Sequence, residues 1–203
     1  MATPRLILAS GSPRRREILT NAGVKFTVIT SSADENLPDG IDAADAVRLL
    51  AERKARAVAE AHPELVNDEN YDTVILAADT VVECFGEILG KPRDRDDARR
   101  MMTMLSGFGH SAHTGICLLR NGVSAVSSET TYVTFDDMTP DEIEAYISTP
   151  EPYDKAGAYA IQGLASVYIA GITGDYFNVM GLPVHAVNVL LRDSFGLKLS
   201  DFS

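Results

Sequence analysis

"LILASGSPRRREIL", Leu6 to Leu19, is the stretch on which the fold turns. Leu6–Ala9 is too short and too uniformly apolar to be one face of a helix, and it reads as a strand buried on both faces. Ser12-Pro13 then reads as a helix start, with serine as the N-cap and proline at the first helical position, where its missing N–H costs nothing. A strand that runs through Ser-Gly-Ser into a helix aims several backbone N–H groups at one point. Arg14, Arg15 and Arg16 run against this, because a helix N-terminus already carries about half a positive charge and disfavours exposed cations by roughly 0.3–1 kcal/mol each. Two accounts compete. A phosphate bound at the turn would take the arginines bidentately; otherwise the turn is solvated and paired with surface acids. It is not a Walker A loop, since the glycine and Lys-Ser/Thr spacing is missing.

Outward from this stretch, strands and helices alternate. Lys25–Ile29 predicts a second strand, which empties into the polar loop "TSSADENLPDG". A helix is predicted from near Asp42 to about His62, with Val47, Leu50, Ala57, Val58 and Ala61 at helical spacing. Lys54 interrupts that stripe one heptad after Val47, so either its stem packs while the amine snorkels out or its ammonium is aimed into a site. Thr73–Ala78 reads as a buried strand stopped by Asp79 and Thr80, followed by a second strand-like stretch that Gly90-Lys91-Pro92 closes. Asp94 to Leu105 is a helix with Asp94, Asp96 and Asp97 around its first turn, as the macrodipole favours. Asn121-Gly122 marks a hairpin between His113–Arg120 and Val123–Phe135. "TPDE" at Thr139–Glu142 is a capping box, Val167–Ile172 a further strand, and Pro183 opens a terminal helix ending near Gly196. The pattern predicts an α/β fold with a mixed central sheet and flanking helices.

Bulk properties narrow the class. With 203 residues, 45% hydrophobic and 23% charged, the chain is long enough for a substantial core and has an ordinary globular composition. No run approaches the ~20 apolar residues of a membrane helix, and no signal-peptide pattern is present, so a cytoplasmic protein without membrane partners is expected. Cys84 and Cys117 lie in apolar runs without C-x-x-C spacing and read as buried, inert thiols. A net charge of −11 argues against broad contact with nucleic acid and makes any polyanion site local.

Several residues could carry chemistry. Asp79, read as the end of a buried parallel strand, stands where α/β proteins place ligands. Glu35 in the acidic loop is a second carboxylate. Lys54, Lys91 in Gly-Lys-Pro and Lys155 in "PYDKAG" are cations at element ends. Polyphosphate hydrolysis needs this combination: cationic clamps, carboxylates for a divalent ion, and a group that orients water. No G-x-S-x-G elbow or H-E-x-x-H zinc helix is present, and His110 and His113, three apart without a third obvious ligand, read as structural or incidental.

"ASGSPRRREIL", "AADTVV", "LGKP", "MLSGFGHSAHTG", "EPYDKAGAYAIQG" and "GDYFNVMGLP", in this order, resemble the Maf family of nucleoside triphosphate pyrophosphatases across nearly the whole chain. The resemblance implies a single Maf-like domain over residues 1–203, elongated and two-lobed with a cleft. It also implies hydrolysis of a nucleoside triphosphate to the monophosphate and pyrophosphate with Mg²⁺ or Mn²⁺, and a homodimer. Asp154-Lys155 and Gln162 are similar to the branch acting on dTTP and UTP. By motif, Asp79 is the catalytic base or metal carboxylate with Glu35 as a metal ligand, and Arg14, Thr80 and Gln162 are specificity positions. Ser12, Arg15, Lys54, Lys91 and Lys155 match substrate contacts. A glutamine amide offers both donor and acceptor to a pyrimidine edge that presents N–H beside a carbonyl, a pattern cytosine lacks. The rival expectation is a nucleotide-binding regulator of cell division without turnover.

Overall fold

The computed structural model describes residues 2–30 and 32–203. Seven strands form one mixed sheet in the order β2-β1-β3-β5-β6-β7, with β4 pairing β3. The strands are β1 (Thr3–Leu8), β2 (Thr27–Val28), β3 (Tyr71–Cys84), β4 (Glu87–Leu89), β5 (Gly109–Arg120), β6 (Val123–Phe135) and β7 (Ile169–Thr173). The helices are α1 (Pro13–Asn21), α2 (Ala43–Ala61), the single turn α3 (Pro63–Val66), α4 (Arg95–Leu105), α5 (Pro140–Ile147), α6 (Tyr176–Met180) and α7 (Val184–Phe195). The expected α/β class and mixed sheet are therefore observed. The chain forms two compact units, residues 1–79, 114–129 and 181–203 in the first and 80–113 and 130–180 in the second. Strands β3, β5 and β6 contribute residues to both. Among the described residues no helix is long and apolar enough to cross a membrane.

In the first unit β1 pairs parallel with both β2 and β3, and its Leu6, Ile7 and Leu8 are buried, as a strand covered on both faces requires. Asp42 caps α2 by accepting the backbone N–H groups of Ala44 and Asp45. The buried stripe of α2, including Ala51, Ala55 and Val58, packs on Ile7, Ile75 and Cys117. Gly115 on β5 lets this helix lie hard against the sheet, because a Cβ there would stand 2.1 Å from the Val47 carbonyl oxygen. That close seat fixes the level at which Lys54, two turns further along α2, meets the sheet.

In the second unit α4 and α5 pack on Val82, Phe135 and Tyr159. The side chains of Met101 and Met102 fill this core, and Cys84 and Cys117 are both free and buried. Asn121 and Gly122 take positive φ values of 49° and 78°, the turn expected between β5 and β6. Thr139 and Glu142 complete the capping box of α5.

Three expectations change. Asp79 does not end its strand: β3 continues to Cys84. Pairing with β1 stops at Leu8↔Leu76, and pairing with β4 starts at Val82↔Leu89, so one strand serves a parallel neighbour and then an antiparallel one. Asp79 and Thr80 lie on the stretch between these two ladders, and two polar residues there do not break the strand. The second strand is only two residues long, because the Lys25 N–H leaves the ladder for the Phe202 carbonyl oxygen at 2.6 Å. Val167 and Tyr168 belong to a 3₁₀ turn, Leu164–Tyr168, and the strand begins at Ile169.

Candidate active site

The strand-to-helix turn is built around Arg15. Its Nε donates to the Gly181 carbonyl oxygen at 2.7 Å and its Nη1 to Ser10 Oγ at 3.0 Å, while Ser10 Oγ also accepts the Ser12 N–H at 3.3 Å. Burial lowers the Arg15 pKa, and the nearby charge of Asp79 opposes that shift. Among the described residues α1 has no acid in its first turn, its N-cap Ser12 makes no side-chain capping bond, and neither Arg14 nor Arg16 forms an ion pair. Among the described residues, then, Arg14 and Arg16 are not paired with surface acids.

Beside it stands a charge triad whose members come from three elements. The Lys54 ammonium lies 2.5 Å from Asp79 Oδ1 and 2.8 Å from Glu35 Oε1. The Lys54 and Asp79 side chains are only 16% and 14% exposed, whereas Glu35 is 69% exposed. Lys54 therefore points inward to carboxylates instead of snorkelling out. Two carboxylate oxygens, Asp79 Oδ1 and Glu35 Oε1, thus converge on one ammonium. Among the described residues no group of three or more His, Cys, Asp or Glu side chains is gathered for a metal.

The remaining expected residues belong to the second unit. Thr80 is half-buried on β3, and Lys91 is exposed. The Gly157 N–H donates to the Gly90 carbonyl oxygen at 3.0 Å, which ties the turn after Lys155 to the turn before Lys91. Lys155 pairs with the neighbouring Asp154. Gln162 is exposed on the loop that follows Tyr159. The groove lined by Arg99, Thr103, Ser106, Met138, Pro140, Ile143 and Glu144 contains none of these residues.

His110 is structural, as its sequence context suggested. It is 2% exposed, its Nε2 is 2.8 Å from Tyr159 Oη, and its ring contacts Phe135. Burial pushes its pKa down to about 4. Sequence reasoning overlooked Ser10 and Gly181 as the partners of Arg15. Ser10 was within reach through the repeated serine of Ser-Gly-Ser; Gly181, 166 residues away, had no local signal.

Comparison with known proteins places the chain among relatives over most of its length. The family model described as Maf-like protein matches residues 5–194. A dTTP/UTP pyrophosphatase of Moorella thermoacetica is 47% identical, covering 92% of this chain and 93% of its own. A protein of the same description from Symbiobacterium thermophilum is 45% identical over 95% of this chain and 94% of its own. Among solved structures, the Staphylococcus aureus Ham1 protein aligns with 81% of this chain and 93% of its own at 12% identity and a TM-score of 0.42.

Proposed function

The chain belongs to the Maf-like family, and from that premise we propose that it hydrolyses dTTP and UTP to the nucleoside monophosphate and pyrophosphate. The observation that carries the proposal is the triad of Lys54, Asp79 and Glu35 next to an arginine-held turn. It brings together a carboxylate to orient water, oxygen donors for a cation, and positive charge for phosphate.

In this reading Arg14, Arg15 and the backbone amides near Ser12 hold the triphosphate, and its charge offsets the electrostatic cost of cations at the start of α1. Lys54, Lys91 and Lys155 neutralise further phosphate oxygens. Asp79 orients the attacking water, whose oxygen forms a new bond to phosphorus as the bridge between the α and β phosphates breaks and pyrophosphate leaves. Asp79 and Glu35 are the residues that would hold Mg²⁺ or Mn²⁺. When bound, such an ion supplies charge stabilisation on the phosphate oxygens. Gln162 pairs with the pyrimidine edge, and Arg14 and Thr80 complete the specificity set. We place the protein in the cytoplasm, which the free, buried Cys84 and Cys117 support, and take it to act as a homodimer on a nucleotide, without nucleic acid or membrane partners.

Incubation with dTTP or UTP and Mg²⁺, followed by chromatography of the products, tests the reading. Monophosphate and pyrophosphate in equal amounts are expected. Nucleoside diphosphate with free phosphate, or saturable binding without product, overturns it.

A further inference from the structure

Gln162 is assigned above to reading the base, yet it stands on an exposed loop, where a side-chain amide has no fixed direction of its own. The second unit pins that loop on both sides. Ahead of Gln162, Ala158, Tyr159 and Ala160 are buried, and the Tyr159 hydroxyl meets His110 Nε2 at 2.8 Å. Behind it, the half-buried Glu151 carboxylate reaches across from a different 3₁₀ turn, Glu151–Asp154. Glu151 Oε2 accepts the Leu164 N–H at 2.8 Å, and Oε1 accepts the Ala165 N–H at 3.3 Å and the Tyr146 hydroxyl at 3.1 Å.

Gly163 shows how closely the carboxylate fits. Its φ and ψ of −160° and −157° are extended, a conformation open to any residue, so backbone freedom does not explain a glycine there. A Cβ at Gly163 would lie 2.3 Å from Glu151 Oε2 and 2.5 Å from Cδ. The glycine makes room for the carboxylate, and the carboxylate holds the two amides that follow. Bonds from backbone N–H groups to an ionised carboxylate are stronger than neutral ones, so this clamp sets the chain direction two residues beyond Gln162.

We infer that Glu151 is a positioning residue for base discrimination, holding the Gln162 loop so that its amide is aimed before the nucleotide binds. The inference rests on the pyrophosphatase reading and on Gln162 contacting the base. A pre-aimed amide loses less freedom on binding, and a site organised to pair with a base edge rejects the mismatched edge strongly.

The test is a set of steady-state measurements with UTP and CTP on Gln162→Ala, Glu151→Ala, Glu151→Gln, Gly163→Ala and the Glu151→Ala/Gly163→Ala double variant. Glu151→Ala is expected to raise KM for UTP about tenfold with kcat within about threefold, and to bring the UTP/CTP ratio of kcat/KM toward that of Gln162→Ala. Glu151→Gln, which keeps one acceptor oxygen, recovers part of the ratio. Gly163→Ala, which evicts the carboxylate, reproduces the loss, while in the double variant it adds nothing further, a non-additivity that general unfolding does not produce. If Gln162→Ala abolishes discrimination but the Glu151 and Gly163 variants keep it, or if their effects simply add, the clamp is wrong while the function stands. If Gln162→Ala leaves discrimination intact, the role given to Gln162 fails and the clamp with it. Wild-type protein that releases no pyrophosphate from UTP defeats the underlying reading.

Discussion

Helices α1 and α4 both follow a strand and a short turn, and their N-termini are built in opposite ways. At α4, Asp94 accepts the Asp97 N–H at 2.8 Å, and Asp96 and Asp97 occupy the first turn, so charge and dipole agree. The backbone N–H of Arg93, with Arg100 and Arg93 side chains, holds Asp97 below the usual carboxylate range. At α1 the first turn carries three arginines, and among the described residues there is no acid in that turn and no side-chain cap. One end is arranged for the stability of the helix. The other sets cations at the positive end of its dipole, an arrangement that the proposed triphosphate would offset.

The contrast is most exposed to test at Asp79, which belongs with α1. Asp79→Asn keeps the shape of the side chain but removes its charge, and turnover is expected to fall about 10²–10⁴-fold while the melting temperature changes little. Equal loss of folding and activity would make Asp79 a stability residue and erase the distinction.

The next effect concerns the core under α4. His110 has an ordinary value of 6.5 and is pushed down to about 4 by burial. The unfolded chain therefore binds the extra proton first, so stability is fully present above pH 6.5 and is lost as pH falls toward 4. The loss from this group is about 3 kcal/mol. Urea denaturation across that interval should show the slope. His110→Gln, which cannot titrate but can still meet Tyr159, should flatten it.

The caps themselves give smaller effects. Asp94→Ala is expected to cost about 1 kcal/mol, whereas Ser12→Ala, with no capping bond to lose, should cost less than about 0.5 kcal/mol. Thermal denaturation of the two variants compares them directly. Arg14→Gln should act in the opposite direction: relief of the cation at the dipole should stabilise the protein by roughly 0.3–1 kcal/mol while KM for UTP rises. A variant that is both less stable and unimpaired in KM would remove the functional account of that turn.

Much of this comparison could be read from residues alone. The serine–proline start of α1, the acids of α4, the capping box at Thr139–Glu142 and the Asn121-Gly122 turn are set by interactions spanning four residues or fewer, so their signatures are contiguous. The strand break expected at Asp79 was misread for a related reason. Two polar residues in an apolar run resemble a strand end, but β4 extends the ladder to Cys84, and that partner is seen only once the chain is folded.

What the sequence determined by itself is most of the helices and strands, the acidic cap of α4 and the capping box of α5, the α/β class and the family, while the missing side-chain cap at Ser12 was not among them. Local torsional preference and hydrophobic periodicity act between near neighbours, and the family's motifs are contiguous runs. Only the tertiary structure decided that Lys54 turns inward to Asp79, 25 residues away, that Arg15 is held by Gly181, and that Glu151 grips the chain beyond Gly163. Those choices depend on how closely α2 can approach β5 at Gly115 and on the space left by a missing side chain at Gly163. Packing of distant segments sets such distances, and no single stretch of sequence contains them.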